Sequence, residues 1–281
     1  MLHERLAEAR AVLVQAGIAA EEAALDAEVL ARHVLDCDRA TLLTRVRDPL
    51  PSAFNRLFHD LVARRAGREP LAYIVGHREF WGLEFDVTPS VLIPRPETEL
   101  IVEEALAALP RRDIVRHIID IGTGSGCLAV ALAVEFPAAR VTATDTSTDA
   151  LAVAYRNAER HVPPSRITFV ETDVLHGVAA SADLIVSNPP YVPAGDAAAL
   201  QPEVGRHEPP LALYAGADGL DMIRKLFGSA QQQLAPDGWL IVEFGFGQDA
   251  AAREIAQGAG WTIVRMRSDL QGIPRVIVLR R

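Results

Sequence analysis

The residues Ser187-Asn188-Pro189-Pro190-Tyr191 follow directly on the apolar run Leu184-Ile185-Val186. That order puts an amide, two imino acids and a phenol at the exit of a strand. The Asn188 side chain offers a carbonyl that accepts hydrogen bonds. Pro189 holds Asn188 extended. Both prolines lack an N–H, so the backbone there presents bare carbonyls. Tyr191 adds a flat ring face. These groups suit a planar NH2 group, whose two protons both need acceptors. The plainer alternative is a strand-to-loop exit, since Pro-Pro punctuates many loops.

A glycine loop lies upstream: Asp120-Ile121-Gly122-Thr123-Gly124-Ser125-Gly126. Asp120 closes a strand, and the glycines let the backbone turn sharply and approach a ligand. Open α/β sheets hold ligands beyond the carboxyl ends of their strands. The dinucleotide fingerprint G-x-G-x-x-G has its third glycine one position later, where Cys127 stands. Asp145 ends the second strand, at the level where a carboxylate binds both hydroxyls of a ribose. Capping the helix that starts near Thr148 is its other reading. Asp173 follows the third strand, level with an adenine, and reads equally as a turn carboxylate. Cys127 reads as a small buried side chain.

The elements that position these residues alternate strand and helix from residue 114 onward. Strands are predicted at Ile114–Ile119, Arg140–Thr144, Ile167–Val170, Leu184–Val186, Trp239–Glu243, Trp261–Arg267 and Arg275–Leu279. Helices are predicted at Leu128–Glu135, Thr148–Arg160 and Leu220–Leu234. This is βαβ alternation around a largely parallel sheet. Only Ser268–Pro274 separates the last two strands, which predicts an antiparallel hairpin.

Residues 1–72 read as a helical bundle. Leu2, Leu6, Ala9 and Leu13 recur at helical spacing and Gly17 fits a stop. Leu25 and Val29 continue the pattern, and Phe54, Leu57, Phe58, Leu61 and Val62 mark a later helix. Residues 73–95 change character: Tyr73, Ile74, Val75, Phe80, Trp81, Leu83, Phe85 and Val87, broken by Gly76 and Gly82, predict a β-hairpin connector. Residues 96–281 form the remaining domain. A stiff loop, Leu92 to Glu99, feeds a helix over Glu97–Leu109.

The 281 residues are 49% hydrophobic and 23% charged, a globular composition. No apolar run reaches membrane-spanning length, and the charged start lacks the apolar core of a leader segment. Cys37 and Cys127 are far apart with no metal-ligand spacing, which predicts a reducing, cytoplasmic setting and no metal. Net charge is −9. Residues 1–85 carry 11 basic and 13 acidic side chains and the rest 17 and 24, so neither part reads as a nucleic-acid binder. Arg64, Arg65 and Arg68 read as a solvated helix face.

G-x-G-x-G after an aspartate resembles the loop of S-adenosylmethionine-dependent methyltransferases. With Glu69-Pro70-Leu71-Ala72-Tyr73-Ile74-Val75-Gly76, Glu79-Phe80-Trp81-Gly82-Leu83, Ile93-Pro94-Arg95-Pro96-Glu97-Thr98-Glu99, Asn188-Pro189-Pro190-Tyr191 and Glu208-Pro209, the chain from residue 69 on resembles the protein-(glutamine-N5) methyltransferases that modify peptide-chain release factors. The Pro-Arg-Pro-Glu-Thr-Glu segment is the specific one, because nucleic-acid amino-methyltransferases share Asn-Pro-Pro-Tyr. The resemblance implies a class I, Rossmann-like fold: a seven-stranded sheet with a C-terminal antiparallel hairpin, behind a helical N-terminal domain. It implies S-adenosyl-L-methionine held by Gly122, Thr123, Gly124, Ser125 and Gly126, with Asp145 on the ribose and Asp173 and Val174 near the adenine. Some members carry Trp where Val174 stands, so the wall here is less aromatic. Asn188 and the Pro189 carbonyl then accept the two protons of a glutamine amide, in a pocket completed by Pro190 and with Tyr191 against the amide's flat face. Glu243 either assists or binds the cofactor's amino group. Arg95 either closes over the cofactor's carboxylate or holds Glu97.

Three rivals remain at this level. An amino-methyltransferase acting on rRNA or DNA bases fits the same motif, against the acidic charge. A non-catalytic cofactor-binding scaffold is a second, against the intact loop, acid and Asn188. A nicotinamide oxidoreductase is disfavoured by the glycine spacing.

Overall fold

A computed structural model describes residues 1–44, 48–178 and 181–281. The chain divides into two units, Met1–Gly76 with Gln201–His207, and His77–Leu200 with Glu208–Arg281.

The first unit is helical: α1 (Leu2–Gln15), α2 (Ala20–Leu35), α3 (Arg39–Thr44), α4 (Phe54–Ala66) and α5 (Leu71–Val75). Leu2, Ala9 and Leu13 are buried on one face of α1 as their spacing predicts. On α2 the buried stripe is Ala23, Ala27, Leu30 and Ala31, while Leu25 points to solvent. Small alanines there bring α2 close to α1, so the stripe is set by size as well as hydrophobicity. Phe54 and Phe58 stack at 5.0 Å on the buried face of α4. Tyr73, Ile74 and Val75 are β-prone, yet they form the turn α5. Pro70 precedes its first residue and Gly76 closes it at φ +86°. Caps at both ends override weak strand propensity.

The second unit opens with a hairpin, β1 (His77–Phe80) and β2 (Leu83–Asp86). A 3-10 turn, Pro96–Thr98, leads into α6 (Glu99–Ala108). Then follow β3 (His117–Ile121), α7 (Cys127–Glu135), β4 (Arg140–Asp145), α8 (Thr148–His161), β5 (Ile167–Glu171) and β6 (Ala182–Ser187). After β6 the chain passes through α9 (Pro202–His207), which belongs to the first unit. It continues through α10 (Asp221–Gln233), β7 (Leu234–Glu243), α11 (Asp249–Gly258), β8 (Thr262–Ser268) and β9 (Pro274–Arg280). Strand order is β5-β4-β3-β6-β7-β9-β8. The first five strands are parallel and β9 pairs antiparallel with both β7 and β8. The predicted C-terminal hairpin is therefore present, with its second strand inserted inside the sheet.

Alternate side chains of each strand point to opposite faces. Ile118, Val141 and Leu184 pack with α6, α7 and α8. Ile119, Ile185 and Val242 pack with α10 and α11. Seven consecutive residues of α7, Cys127 to Ala133, are buried, which is why that helix is apolar all round.

One expectation reverses in the helical unit. Arg65 is 2% exposed, not solvated. It lies on the face of α4 that carries Phe54, Phe58 and Val62, so helical spacing turns it inward. Its guanidinium donates to Asp26 at 2.6 Å, Glu22 at 2.9 Å and Glu203 of α9 at 2.7 Å. Arg68 also holds Glu203, at 2.8 Å, and Arg64 pairs with Glu69. A buried charge persists only when paired and hydrogen-bonded.

Candidate functional site

The chain runs outward from β3 through β4 to β5, then returns to β6 on the other side of β3. This reversal opens a crevice between the carboxyl ends of β3 and β6. Ile121 sits opposite Ser187 in register, so the glycine loop and Asn188 leave the sheet side by side.

Thr123 N–H donates to the Thr144 carbonyl at 2.9 Å, and Gly124 N–H to Asp145 Oδ2 at 2.9 Å. These bonds stitch the loop to β4. A Cβ on Gly122 or Gly124 would meet no protein atom within 4 Å, so their backbone borders open space. Gly126 is different. At φ +82°, a Cβ there would lie 3.0 Å from Ala154 Cβ, so Gly126 serves the packing of α8 and stands outside the cleft wall. Asn157, fully buried on α8, donates to the Ser125 carbonyl at 2.8 Å and bonds both backbone groups of Asp86. Sequence reasoning passes over Asn157. Its signal is a polar residue in the stripe Ala150, Val153, Ala154, Ala158.

Asp120 is buried beneath the loop. Its Oδ2 accepts from Thr123 Oγ1 at 2.6 Å and Ala129 N–H at 3.1 Å, while Oδ1 has no partner. Burial pushes this carboxyl up to about 7, against those two hydrogen bonds. The Cys127 thiol is pushed up to about 12, first by burial and then by Asp120, so it is an inert buried side chain as its position predicts.

A cleft of about 1080 Å³, open to solvent, is lined by Gly122 to Ser125, Asp145, Asp173, Val174, Asn188, Pro189 and Pro190. Asp145 Oδ1 accepts from Ser147 N–H at 2.9 Å. The helix cap is Ser147 instead, whose Oγ accepts from Ala150 N–H at 3.1 Å. The Asp145 carboxylate is thus fixed at the cleft edge with spare acceptor capacity. Asp173 is ion-paired with Lys225. Val174 holds φ +58°, a left-handed conformation that costs a β-branched residue about 1–3 kcal/mol. Thr144 Oγ1 donates to its carbonyl at 3.2 Å and secures it.

Asn188 Nδ2 donates to Thr98 Oγ1 at 2.9 Å. Thr98 Oγ1 donates to Glu243 Oε2 at 2.7 Å. Tyr191 hydroxyl donates to Glu243 Oε1 at 3.3 Å. Asn188 Oδ1 is buried and has no partner. Tyr191 stands behind the cleft wall, its ring beside Gly245 and its phenol raised by burial and then by Glu243. Glu243, 2% exposed at the end of β7, is pushed up to about 7 by burial, against hydrogen bonds from Thr98 and Tyr191. Arg95 lines the cleft, and its ion pair is not with Glu97. It pairs with buried Glu208, whose Oε2 accepts from Ile93 N–H at 3.3 Å. Neither Thr98 nor Glu208 has a role assigned from sequence. Both lie in segments marked by their prolines, Pro94-Arg95-Pro96 and Glu208-Pro209.

These residues fit a nucleoside-bearing ligand. The glycine backbone is open, a carboxylate is fixed at the end of β4, and a buried amide oxygen lacks a partner beside them.

Known proteins resemble this chain over most of its length. Residues 4–76 match the family model described as PrmC N-terminal domain, and residues 98–202 match Methyltransferase small domain. A release factor glutamine methyltransferase from Geobacter sulfurreducens is 46% identical over 269 residues, covering 95% of this chain and 92% of its own. One from Xylella fastidiosa is 45% identical, covering 91% and 92%. The crystal structure of a methyltransferase from Pyrococcus furiosus, 18% identical, superposes with a TM-score of 0.52 over 80% of this chain and 98% of its own.

Proposed function

The chain belongs to the release factor glutamine methyltransferase family, and we propose how the residues of its Asn188 cleft carry out that reaction. The enzyme transfers a methyl group from S-adenosyl-L-methionine to the side-chain amide of a release-factor glutamine. The observation that carries the residue assignment is the buried, unpartnered Asn188 Oδ1.

When bound, S-adenosylmethionine supplies an electrophilic sulfonium methyl. Gly122, Thr123, Gly124 and Ser125 hold its methionine part, Asp145 its ribose, and Asp173 and Val174 border its adenine. An amide nitrogen is a poor nucleophile, because its lone pair is delocalised. Asn188 Oδ1 and the Pro189 carbonyl accept its two N–H groups. They aim the nitrogen and stabilise positive charge as it grows there. Orientation draws on the roughly 7–11 kcal/mol that proximity can supply. One N–H proton leaves after transfer, so no strong base is needed in the cleft. Tyr191 acts from behind the wall by holding Glu243, and Pro190 keeps the segment rigid.

The target is the glutamine of the Gly-Gly-Gln tip of the release factor, a protein partner met by the helical N-terminal unit. Among the described residues no helix is long and apolar enough to cross a membrane. Two free cysteines and the translation substrate support a cytoplasmic location. Purified enzyme, release factor and labelled cofactor, followed by peptide mass mapping, test the reading. Asn188→Ala is expected to cut methyl transfer by about 10²-fold or more with cofactor affinity retained. Loss of all cofactor binding in that variant would mark Asn188 as structural. Label appearing in ribosomal RNA in place of the release factor would replace the substrate.

A further inference from the structure

We propose that Thr98 and Glu243 are positioning residues that set the polarity of the Asn188 amide, so that its carbonyl and not its amino group meets the substrate glutamine. The proposal rests on the reading of Asn188 as the acceptor for that glutamine.

A carboxamide is nearly symmetric in shape. A half-turn exchanges an acceptor for a donor at little steric cost. With its NH2 toward the cleft, Asn188 would face the substrate NH2 donor to donor. Something must break the symmetry, and the hydrogen bonds around Thr98 do so. An ionised Glu243 can only accept. It takes the single Thr98 hydroxyl proton across 2.7 Å, and its other oxygen takes the Tyr191 proton. The Thr98 oxygen is then left with lone pairs alone. It accepts from Asn188 Nδ2 at 2.9 Å, which drives Oδ1 to the opposite side, where it has no protein partner. Thr98 is 2% exposed, so water does not compete for these bonds.

A protonated Glu243 reverses the chain. Its proton can go to Thr98 Oγ1, the Thr98 proton then points at Asn188, and the amide turns to present Oδ1 to it. The acceptor is lost from the cleft. The groups facing Glu243 are Thr98, Tyr191, Glu97, which favours the protonated form, and Arg275, which favours the ionised one. Glu243 also raises the Cys127 thiol, and Arg95 and Arg275 act on Tyr191. Burial raises this carboxyl to about 7, which places the switch there. Activity is therefore present above that pH and falls below it.

The test is steady-state methylation of intact release factor by full-length enzyme from about pH 5.5 to about 9, a span that brackets the raised carboxyl value of about 7, with calorimetric cofactor affinity as the check on folding. Thr98→Val should lower kcat on the order of 10²-fold with cofactor affinity unchanged, and Thr98→Ser should restore most of it. Glu243→Gln should lower kcat and remove the acid limb of its pH profile. Wild-type kcat in Thr98→Val overturns the proposal. So does an acid limb that persists unchanged in Glu243→Gln, which would point to Asp120 as the titrating group. The Glu243→Gln profile decides the matter even if Thr98→Val does not fold. Full activity in Asn188→Ala would instead overturn the acceptor reading itself. An inactive Asn188→Ala beside a fully active Thr98→Val would overturn the relay alone.

Discussion

Ser187 Oγ donates to the Ile121 carbonyl across the β3–β6 boundary at 2.8 Å, and both residues are buried. One hydroxyl thus clasps the strand that launches the glycine loop to the strand that launches Asn188. The two halves of the cleft share a floor, and their spacing is set by strand pairing. Strands hold such geometry more rigidly than loops do.

Asp145 is expected to serve the cofactor and not the fold of α8. Asp145→Ala should weaken S-adenosylmethionine binding by about 1–3 kcal/mol, the range for hydrogen bonds to a charged group. Calorimetry reads this directly. An unchanged dissociation constant would assign the carboxylate only to bracing Gly124 and Ser147.

Two glycines of one loop should fail in opposite ways. Gly126→Ala meets Ala154 at 3.0 Å in a left-handed backbone, so it should destabilise the protein by about 1–3 kcal/mol. Gly124→Ala meets no protein atom, so beyond the roughly 1–2 kcal/mol cost of its φ it should act mainly on cofactor affinity. Urea unfolding set against calorimetry separates the two. Equal effects of both variants on cofactor affinity would contradict the assignment of Gly126 to packing.

Asp120 carries a pH prediction. Burial raises its carboxyl from 3.8 to about 7, so the native state binds more protons than the unfolded state between those values. The stabilising contribution is complete below about 4 and is lost as pH rises through about 7. Asp120→Asn removes this titration. From pH 4 to 8, its urea-derived stability should gain on wild type by roughly 1–4 kcal/mol. A constant difference across that range would mean that Asp120 is ionised throughout.

Arg65→Ala should strip Asp26 and Glu203 of a buried partner at a cost of about 3–5 kcal/mol. Burial already raises the Asp26 carboxyl despite Arg65, so little reserve remains. Hydrogen exchange of α2 and α4 amides in the full chain is the measurement. Unaltered protection would show that the network contributes nothing net.

Much of this is legible in the chain. The seven strands, the hairpin at the end and the order of the motifs follow from apolar alternation and turn residues, because those patterns are local. Strand ends are less so. The pattern predicts a strand over Ile114–Ile119, yet β3 runs His117–Ile121, because pairing with β4 and β6 carries the ladder past Asp120. Three features escape altogether, each made by residues distant in sequence. Arg65 reads as a surface charge until Asp26 and Glu203 are beside it. Thr98 reads as loop until Asn188 and Glu243 close on it from 90 and 145 residues away. Tyr191 reads as a cleft wall until Glu243 draws its hydroxyl back.

The inserted position of β9 bears on how the enzyme is made. A nascent chain that has emitted β7 holds Leu240, Ile241 and Val242 on a strand whose outer edge finds its mate only when Pro274–Arg280 leaves the ribosome. Until then that edge is an open template for adhesion to other chains. Ribosome-stalled chains ending before Pro274 should be cut readily by protease, and release of the final strand should abolish that sensitivity.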